Sequence, residues 1–317
     1  MIELVESIII HGAITSGMYA LLAVGFSMIY GVTEITNLTH GCLFMIGSYV
    51  YFFFATPYGG IQLDPFLALL IAGVSVAILA SVIYRLSLDP VVEDPLSVMV
   101  VTLSLAMILQ ESTILIFRSY RRRVPSIWEG ALEMLGKEDF LVIGSVKTTY
   151  SRVLSALFAL VLFAVLLIFI ERTKIGRAMR ALSQDREVAM LMGTNVKRLS
   201  MLAMAISALF AAVAGVLITS ATGGGVTYPQ IWTGPLFMAF AIVVLGGLGS
   251  IKGAFVGSFI FGYIENIFTL GIDPFMSEFM NVPKGATLST AVIMGTMLVV
   301  LIIRPKGLFG KRVELED

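Results

Sequence analysis

The amino-acid sequence predicts an all-α, polytopic integral membrane protein of about nine hydrophobic segments, with broken or re-entrant helices among them. Three observations carry that expectation. Hydrophobic residues make up 58% of the chain's 317 and charged residues only 13%, so a soluble fold could not hide its apolar surface. Mean hydropathy is +0.95, and apolar runs of about 20 residues, the length that crosses a bilayer, recur from end to end. Charge is gathered in a few places instead, most densely over 173–198, TKIGRAMRALSQDREVAMLMGTNVKR, between two such runs.

Global charge excludes little, since Lys+Arg and Asp+Glu both total 21, but no basic tail points to a nucleic-acid partner; the surrounding partner is membrane lipid. The single cysteine, Cys42, excludes an intrachain disulfide framework and a paired-cysteine metal site. The opening MIELVES carries Glu3 and Glu6 and no base, unlike a cleaved leader, so the first span is read as an uncleaved anchor.

The first span covers about 8–32, with Gly12, Ala13, Ser16 and Gly17 letting neighbouring helices approach closely and His11 at its outer edge. Residues 33–49 follow, where Glu34, Asn37, Thr39 and His40 interrupt the apolar pattern before it resumes over 42–55. That segment is either a broken, partly re-entrant helix or a tight turn, because irregular backbone at membrane depth needs protein or a wet cavity around it. The third span is 65–86, and LSLDPVVEDP is a short acidic turn. The fourth, 96–117, carries Gln110 and Glu111, the latter close enough to the end to be read as an interfacial carboxylate.

The longest loop, 118–150, starts RSYRRR. Ser126 and Glu129 form a capping box after Pro125, predicting a helix with Ile127, Trp128, Ala131, Leu132 and Leu135 on one side, lying on the membrane surface. The fifth span is 151–170 and the sixth 199–220. The uncharged ATGGGVTYPQIWTGP then suits a loop folded back into the protein at the outer face. The seventh, 236–245, is too short to cross alone before GGLGS. The eighth, 251–270, repeats small residues four apart (Gly249, Gly253, Gly257; Ala254, Ser258, Gly262), which is helix-packing chemistry, and Glu265 lies near its end. The ninth, 287–303, ends at RPKGLFGKR.

With the C-terminus inside, Lys and Arg divide thirteen to eight in favour of the cytoplasmic segments, which orients the chain with its N-terminus outside. No phosphate-binding G-x-x-x-x-G-K-[ST] occurs, and GGLGSIKGAF has the wrong lysine spacing for one. Two distant histidines supply neither a zinc set nor a nucleophile with its base. Hence no catalytic, metal or cofactor-binding residues are expected.

Four stretches, in this order, carry a resemblance. They are Tyr30-Gly31 with Asn37 to Gly41 and Met45 to Tyr49; GRAMRALSQDREVAMLMGTNV; VLGGLGSIKGAFVGS; and RPKGLFG. The chain resembles, over nearly its whole length, the permease subunits of branched-chain amino-acid ABC transporters, a family shared with urea and short-chain amide permeases. It departs from that pattern at Glu34, where glycine is more usual, at Leu38-Thr39, and in the acidic DPVVEDP turn.

The resemblance implies one transmembrane permease domain over 1–317, with an outer loop at 118–150, a cytoplasmic coupling loop at 171–198 and a cytoplasmic tail at 304–317. It implies four kinds of neighbour: a second permease subunit (homologous, or a second copy), two ATP-binding cassette ATPases, an extracytoplasmic substrate-binding protein, and the lipid of the cell's inner membrane. ATP is then used by the partner subunits and not by this chain. The family's loop pattern falls on Gly176, Arg177, Arg180, Asp185, Ala189 and Gly193, which become the expected ATPase-coupling residues. Ser183 is the expected N-cap and Gly193 the stop of a coupling helix over 184–193, with Val188, Leu191 and Met192 as its apolar side.

The substrate path is expected at Asn37, His40 and Gly41 and at Gly223, Gly224, Gly246, Gly247 and Gly249, where backbone dipoles and small residues could pass a neutral or zwitterionic solute. Branched-chain amino acids, urea and short-chain amides all remain open as substrates. An ion-coupled carrier or channel for small polar solutes is the competing class, and a membrane scaffold without transport the third.

Overall fold

The computed structural model describes residues 2–134, 136, 140–221, 225–272, 294–295, 298–299, 302 and 307–309. Six helices among them are long and apolar enough to cross a membrane. These are α1 (Ile2–Thr33), α3 (Pro65–Ile83, continued by tighter and wider turns to Val91), α4 (Pro95–Phe117), α6 (Tyr150–Arg172), α9 (Val196–Ala221) and α11 (Ile251–Asn266, continued to Gly271). Two apolar helices are shorter, α2 (His40–Ala55) and α10 (Thr233–Gly246). The remaining helices, α5 (Glu129–Met134), α7 (Lys174–Leu182) and α8 (Arg186–Leu191), lie in the two charged loops.

Local chemistry sets several of these boundaries. Asp64 and Asp94 each precede a proline at the first helical position, and their carboxylates accept from the Phe66 and Leu67 amides and from the Leu96 and Ser97 amides. An N-cap acceptor ahead of a proline that needs no donor is a strong start signal for α3 and α4.

The bundle has two ends. One gathers the end of α1, Asp89 paired with Lys197 (3.0 Å), α7, α8, the turn at 247–250 and residues 307–309; in line with the basic-residue bias it is called the inner end. The other gathers the start of α1, the 57–64 turn and the 118–149 loop, where Glu6 of α1 accepts from the Ser145 amide and hydroxyl.

Close packing depends on missing side chains. α2 crosses α9 where a Cβ on Gly47 would lie 2.7 Å from the Ala212 oxygen and one on Gly215 3.0 Å from the Phe44 carbonyl carbon. The small residues of α11 serve two neighbours, Gly253 and Gly257 facing α10 and Gly262 facing Ser16 of α1. α1 and α9 form the centre, buried over most of their length, while α4 is the most exposed of the long helices.

The two short helices begin inside the bundle. His40, the first residue of α2, lies beside Leu22 in the middle of α1, so the chain has doubled back from Thr33 before the helix starts. Trp232, which precedes α10, sits where a Cβ on Gly41 would strike it. From that common level α2 runs outward for about 24 Å and α10 inward for about 21 Å, at 1.5 Å per residue. The 33–49 stretch is therefore the broken helix of the two sequence alternatives, not a tight turn.

The outer loop departs from the expectation. Among its described residues only 129–134 is helical, and the apolar residues ahead of it pack on the protein instead of lying on a membrane surface. Ile127 and Leu132 are buried, Trp128 donates from Nε1 to Ser155 Oγ of α6 (3.1 Å), and its ring meets Phe66 and Phe158 edge-on. Ala131 is exposed, and Leu135 lies outside the described residues. Two small antiparallel pairs also modify the all-α expectation: β1 (Arg122–Arg123) with β4 (Val226–Thr227), and β2 (Phe140–Ile143) with β3 (Val146–Thr149). The first joins segments about 100 residues apart, which local patterning does not see; the second is a local hairpin across Gly144-Ser145, with Gly144 at φ +62°.

Candidate functional site

At the inner end, α6 turns into α7 at Thr173. Its hydroxyl accepts from the Gly176 amide (3.0 Å) and donates to the Phe169 carbonyl (2.7 Å), and a Cβ on Gly176 would lie on the backbone of Phe169 and Ile170. α7 buries Met179 and Leu182 and leaves Arg177 and Arg180 exposed.

α8 starts later than the sequence predicts. Asp185, not Ser183, is the N-cap: it is extended (φ −154°, ψ 112°) and accepts from the Val188 amide at 2.9 Å. Ser183 is still helical (φ −76°, ψ −8°) and its hydroxyl donates back to the Arg180 carbonyl at 2.9 Å, closing α7. A cap must leave the helical region, and only Asp185 does. Ala189 is buried, and Gly193 at φ +81° ends the unit, with the Thr194 amide reaching the Ala189 carbonyl (3.1 Å).

The six expected coupling residues thus lie in one compact unit and divide by role. Gly176, Asp185, Ala189 and Gly193 build the turn-helix-turn. Arg177 and Arg180 do not: they are exposed, and among the described residues the Arg180 side chain bonds the Glu171 carbonyl (3.4 Å) while the Arg177 side chain forms no hydrogen bond or ion pair. Beside them Val188, Leu191 and Met192 are 53%, 86% and 82% exposed, an uncovered apolar ridge on a charged loop. The ion pairs Lys197–Asp89 and Lys252–Glu171 (3.3 Å), which the sequence does not single out, join the helices that flank this unit, α9 to the end of α3 and α11 to the end of α6.

The expected path residues separate further. Asn37 is fully buried; its Oδ1 accepts from the Thr39 amide (3.1 Å) and hydroxyl, and its Nδ2 points at Met204 Sδ (3.3 Å). His40 is also fully buried, with Nε2 3.1 Å from the Leu22 oxygen, Nδ1 3.3 Å from Ser207 Oγ and Phe26 edge-on at 5.4 Å. Gly41 is pressed against Trp232 and Leu236. These three hold the start of α2 in place.

Gly246, Gly247 and Gly249 form the inner corner between α10 and α11. There the Leu308 and Phe309 amides bond the last carbonyls of α10, Leu245 (2.9 Å) and Gly246 (3.0 Å), and Gly249 (φ +77°) abuts Gly31. A cleft of about 280 Å³ at this corner is lined by Tyr30, Gly31, Glu34, Ser183, Gly249 and Phe309. Gly223 and Gly224 lie outside the described residues. At the outer end a cleft of about 560 Å³ is lined by charges of both signs, among them Arg123, Glu129, Lys147 and Arg152.

A multi-pass helical bundle with two half-length helices meeting in its interior, and one compact charged unit at a single end, is the architecture of a membrane transport subunit. Residues 8–301 match the family of branched-chain amino acid transport system permease components. The chain belongs to that family. It is 29% identical over 313 residues to the Pseudomonas aeruginosa high-affinity branched-chain amino acid transport system permease protein BraD, covering 96% of this chain and 95% of the relative. It is 31% identical over 307 residues to the corresponding LivH of Escherichia coli (95% and 94%). A probable LivH of the archaeon Methanocaldococcus jannaschii is 28% identical over 321 residues (97% and 94%). The chain is accordingly a multi-pass permease subunit of the inner membrane.

Proposed function

We propose that this chain is the membrane-spanning subunit of an ATP-driven importer of branched-chain amino acids, working with a second permease subunit, two ATPases and an extracytoplasmic binding protein. The observation that carries the reading is the inner unit of α7 and α8. Its fold is completed by four of the six family-pattern residues, which leaves two arginines and an apolar ridge projecting, as a segment that docks into another protein would. ATP is bound by the partners, and this chain holds no cofactor.

In this reading the chain crosses nine times. The six long helices are six passes, and the broken segments ending in α2 and α10 are two more. The ninth is the span expected at 287–303, which lies largely outside the described residues. The inner end faces the cytoplasm, and the outer mixed-charge cleft faces the binding protein. Asn37, His40 and Gly41 act on the path by fixing where the two half-helices meet, and the glycine corner at 246–249 sets the inner mouth.

Reconstitution tests this directly. With its ATPases, second permease and binding protein in proteoliposomes, the chain should support ATP-dependent leucine uptake. Uptake by this chain alone, without ATPase, would instead make it a carrier or channel.

A further inference from the structure

Resting on the amino-acid importer reading, we propose that one exposed face of α4 lines the translocation path and that Glu111 receives the α-ammonium group of the substrate. The inward face of α4 is clear: Val98, Thr102, Ala106 and Thr113 are its buried residues. At about 100° of turn per residue, Ser97, Ser104 and Glu111, each seven apart, fall on a single line about 180° away from that face. Ser104 and Glu111 are exposed on that line.

An outward polar line is the wrong pattern for a helix facing lipid. A soluble helix buries grease and shows polar residues to water; a lipid-facing one shows grease, with room for a serine that returns its hydroxyl to the backbone, as Ser104 does to the Val100 carbonyl (2.8 Å), but not for a carboxylate. Here a carboxylate stands among exposed Met107, Ile108 and Leu115, about 24 Å along the helix from Pro95 and about 9 Å short of Phe117 at 1.5 Å per residue. Charge at such depth is costly unless it faces water or a partner charge. Neither Lys nor Arg pairs with Glu111 in this chain among the described residues; its described bond is from Gln110 Nε2, at 3.1 Å.

That bond links the line to the place where the half-helices meet. Gln110 Oε1 accepts from Trp232 Nε1 at 2.6 Å, and Trp232 packs against Gly41 at the start of α2. A group bound at Glu111 therefore sits one hydrogen-bonded residue from the junction of α2 and α10. A zwitterionic amino acid supplies the complementary cation, and its apolar side chain suits the neighbouring Met107 and Ile108.

Two measurements on the assembled transporter decide the matter. Neutralising Glu111 as E111Q should raise the KM for leucine about 10- to 100-fold, the range for losing a charge-assisted hydrogen bond. Co-purification with the partners and basal ATPase should be retained, and E111D should recover part of the affinity. An unchanged leucine KM in E111Q overturns the proposal. So does a loss of co-purification with normal KM in the complexes that remain, which would make Glu111 a seam contact.

Independently, Cys42 is buried, so S104C can be probed against a quiet background. It should react with a water-soluble cationic thiol reagent, and leucine should slow that reaction; an inert S104C, or labelling that leucine leaves unaffected, speaks against the path. The wild-type assembly failing to import leucine at all would remove the underlying reading instead, whatever E111Q does.

Discussion

His40 Nε2 stands 3.1 Å from the carbonyl oxygen of Leu22, at the middle of α1, while its Nδ1 meets Ser207 of α9 at 3.3 Å. One imidazole thereby ties the first turn of α2 to both central helices at a level where no water reaches it. Replacing it by alanine leaves a cavity and an unpaired Ser207 hydroxyl, at a cost of about 2–4 kcal/mol. His40→Ala should lower thermal stability in detergent and reduce uptake, with His40→Gln recovering part of both. Wild-type stability and uptake in His40→Ala would show that this tie does not position α2.

The α2–α9 crossing makes a sharper demand. Gly47 and Gly215 each leave no room for a methyl group against the facing backbone, so Gly215→Ala should cost about 1–3 kcal/mol as the helices move apart. Because both glycines open the same crossing, Gly47→Ala with Gly215→Ala should cost less than the sum of the single changes. Unfolding midpoints of the four species measure this, and strict additivity would mean that the helices yield separately.

Glu34 sits at φ +58°, immediately past the end of α1, with its amide still bonded to the Tyr30 carbonyl at 2.7 Å. A β-carbon in this left-handed region costs about 1 kcal/mol relative to glycine. Glu34→Gly should therefore stabilise the folded subunit by roughly that amount, and Glu34→Ala should not. A melting temperature lowered by Glu34→Gly would mean that the carboxylate contributes more than the strain costs.

Asp94 supplies a pH dependence with a definite sign. The Ser97 hydroxyl above all, then the Ser97 amide and the Leu96 amide, hold its carboxyl below the usual carboxylate range. A folded value below the unfolded one, about 3.9, gives stabilisation that is complete above the unfolded value and lost as pH falls through the folded one. The first turn of α4 should be equally protected at pH 7 and pH 5 and should fray below about 4, while Asp94→Asn should show no such acid step. Hydrogen exchange over 94–99, corrected for intrinsic rate, checks this; fraying already complete by pH 5 would contradict the sign.

Apolar run length alone located the long helices, because bilayer thickness leaves a chain few other options. Gly193 was legible as a stop for a similar reason, since a left-handed residue strongly favours glycine. What sequence could not separate was a polar residue satisfied inside the protein from one that faces water. Asn37 and His40 read as path residues because they interrupt grease, yet their partners, Met204, Leu22 and Ser207, come from distant segments. α4 poses the converse problem. Ser97, Ser104 and Glu111 are spaced by sevens through an apolar run and hardly change its composition, so their alignment emerges only once the buried face of the helix is known. Ser183 and Asp185 were both eligible caps, and only backbone geometry chose between them.

The division within the inner unit predicts two kinds of damage. Asp185→Ala removes the α8 cap, worth about 1 kcal/mol, and Gly193→Ala places a side chain at φ +81°, again about 1 kcal/mol or more. Both should loosen α8, and both should uncouple ATP hydrolysis from uptake by misplacing the ridge of Val188, Leu191 and Met192. Arg177→Ala and Arg180→Ala differ, because neither side chain supports the local fold: Arg180 gives up one long bond to a carbonyl and Arg177 none among the described residues. They should leave hydrogen exchange across 174–193 unchanged while lowering uptake per ATP hydrolysed or weakening ATPase co-purification. Asp185→Asn, which keeps the capping oxygen, should behave as wild type. Were the arginine variants to loosen the loop as Asp185→Ala does, the unit would be a folding element throughout, with no part of it reserved for a partner.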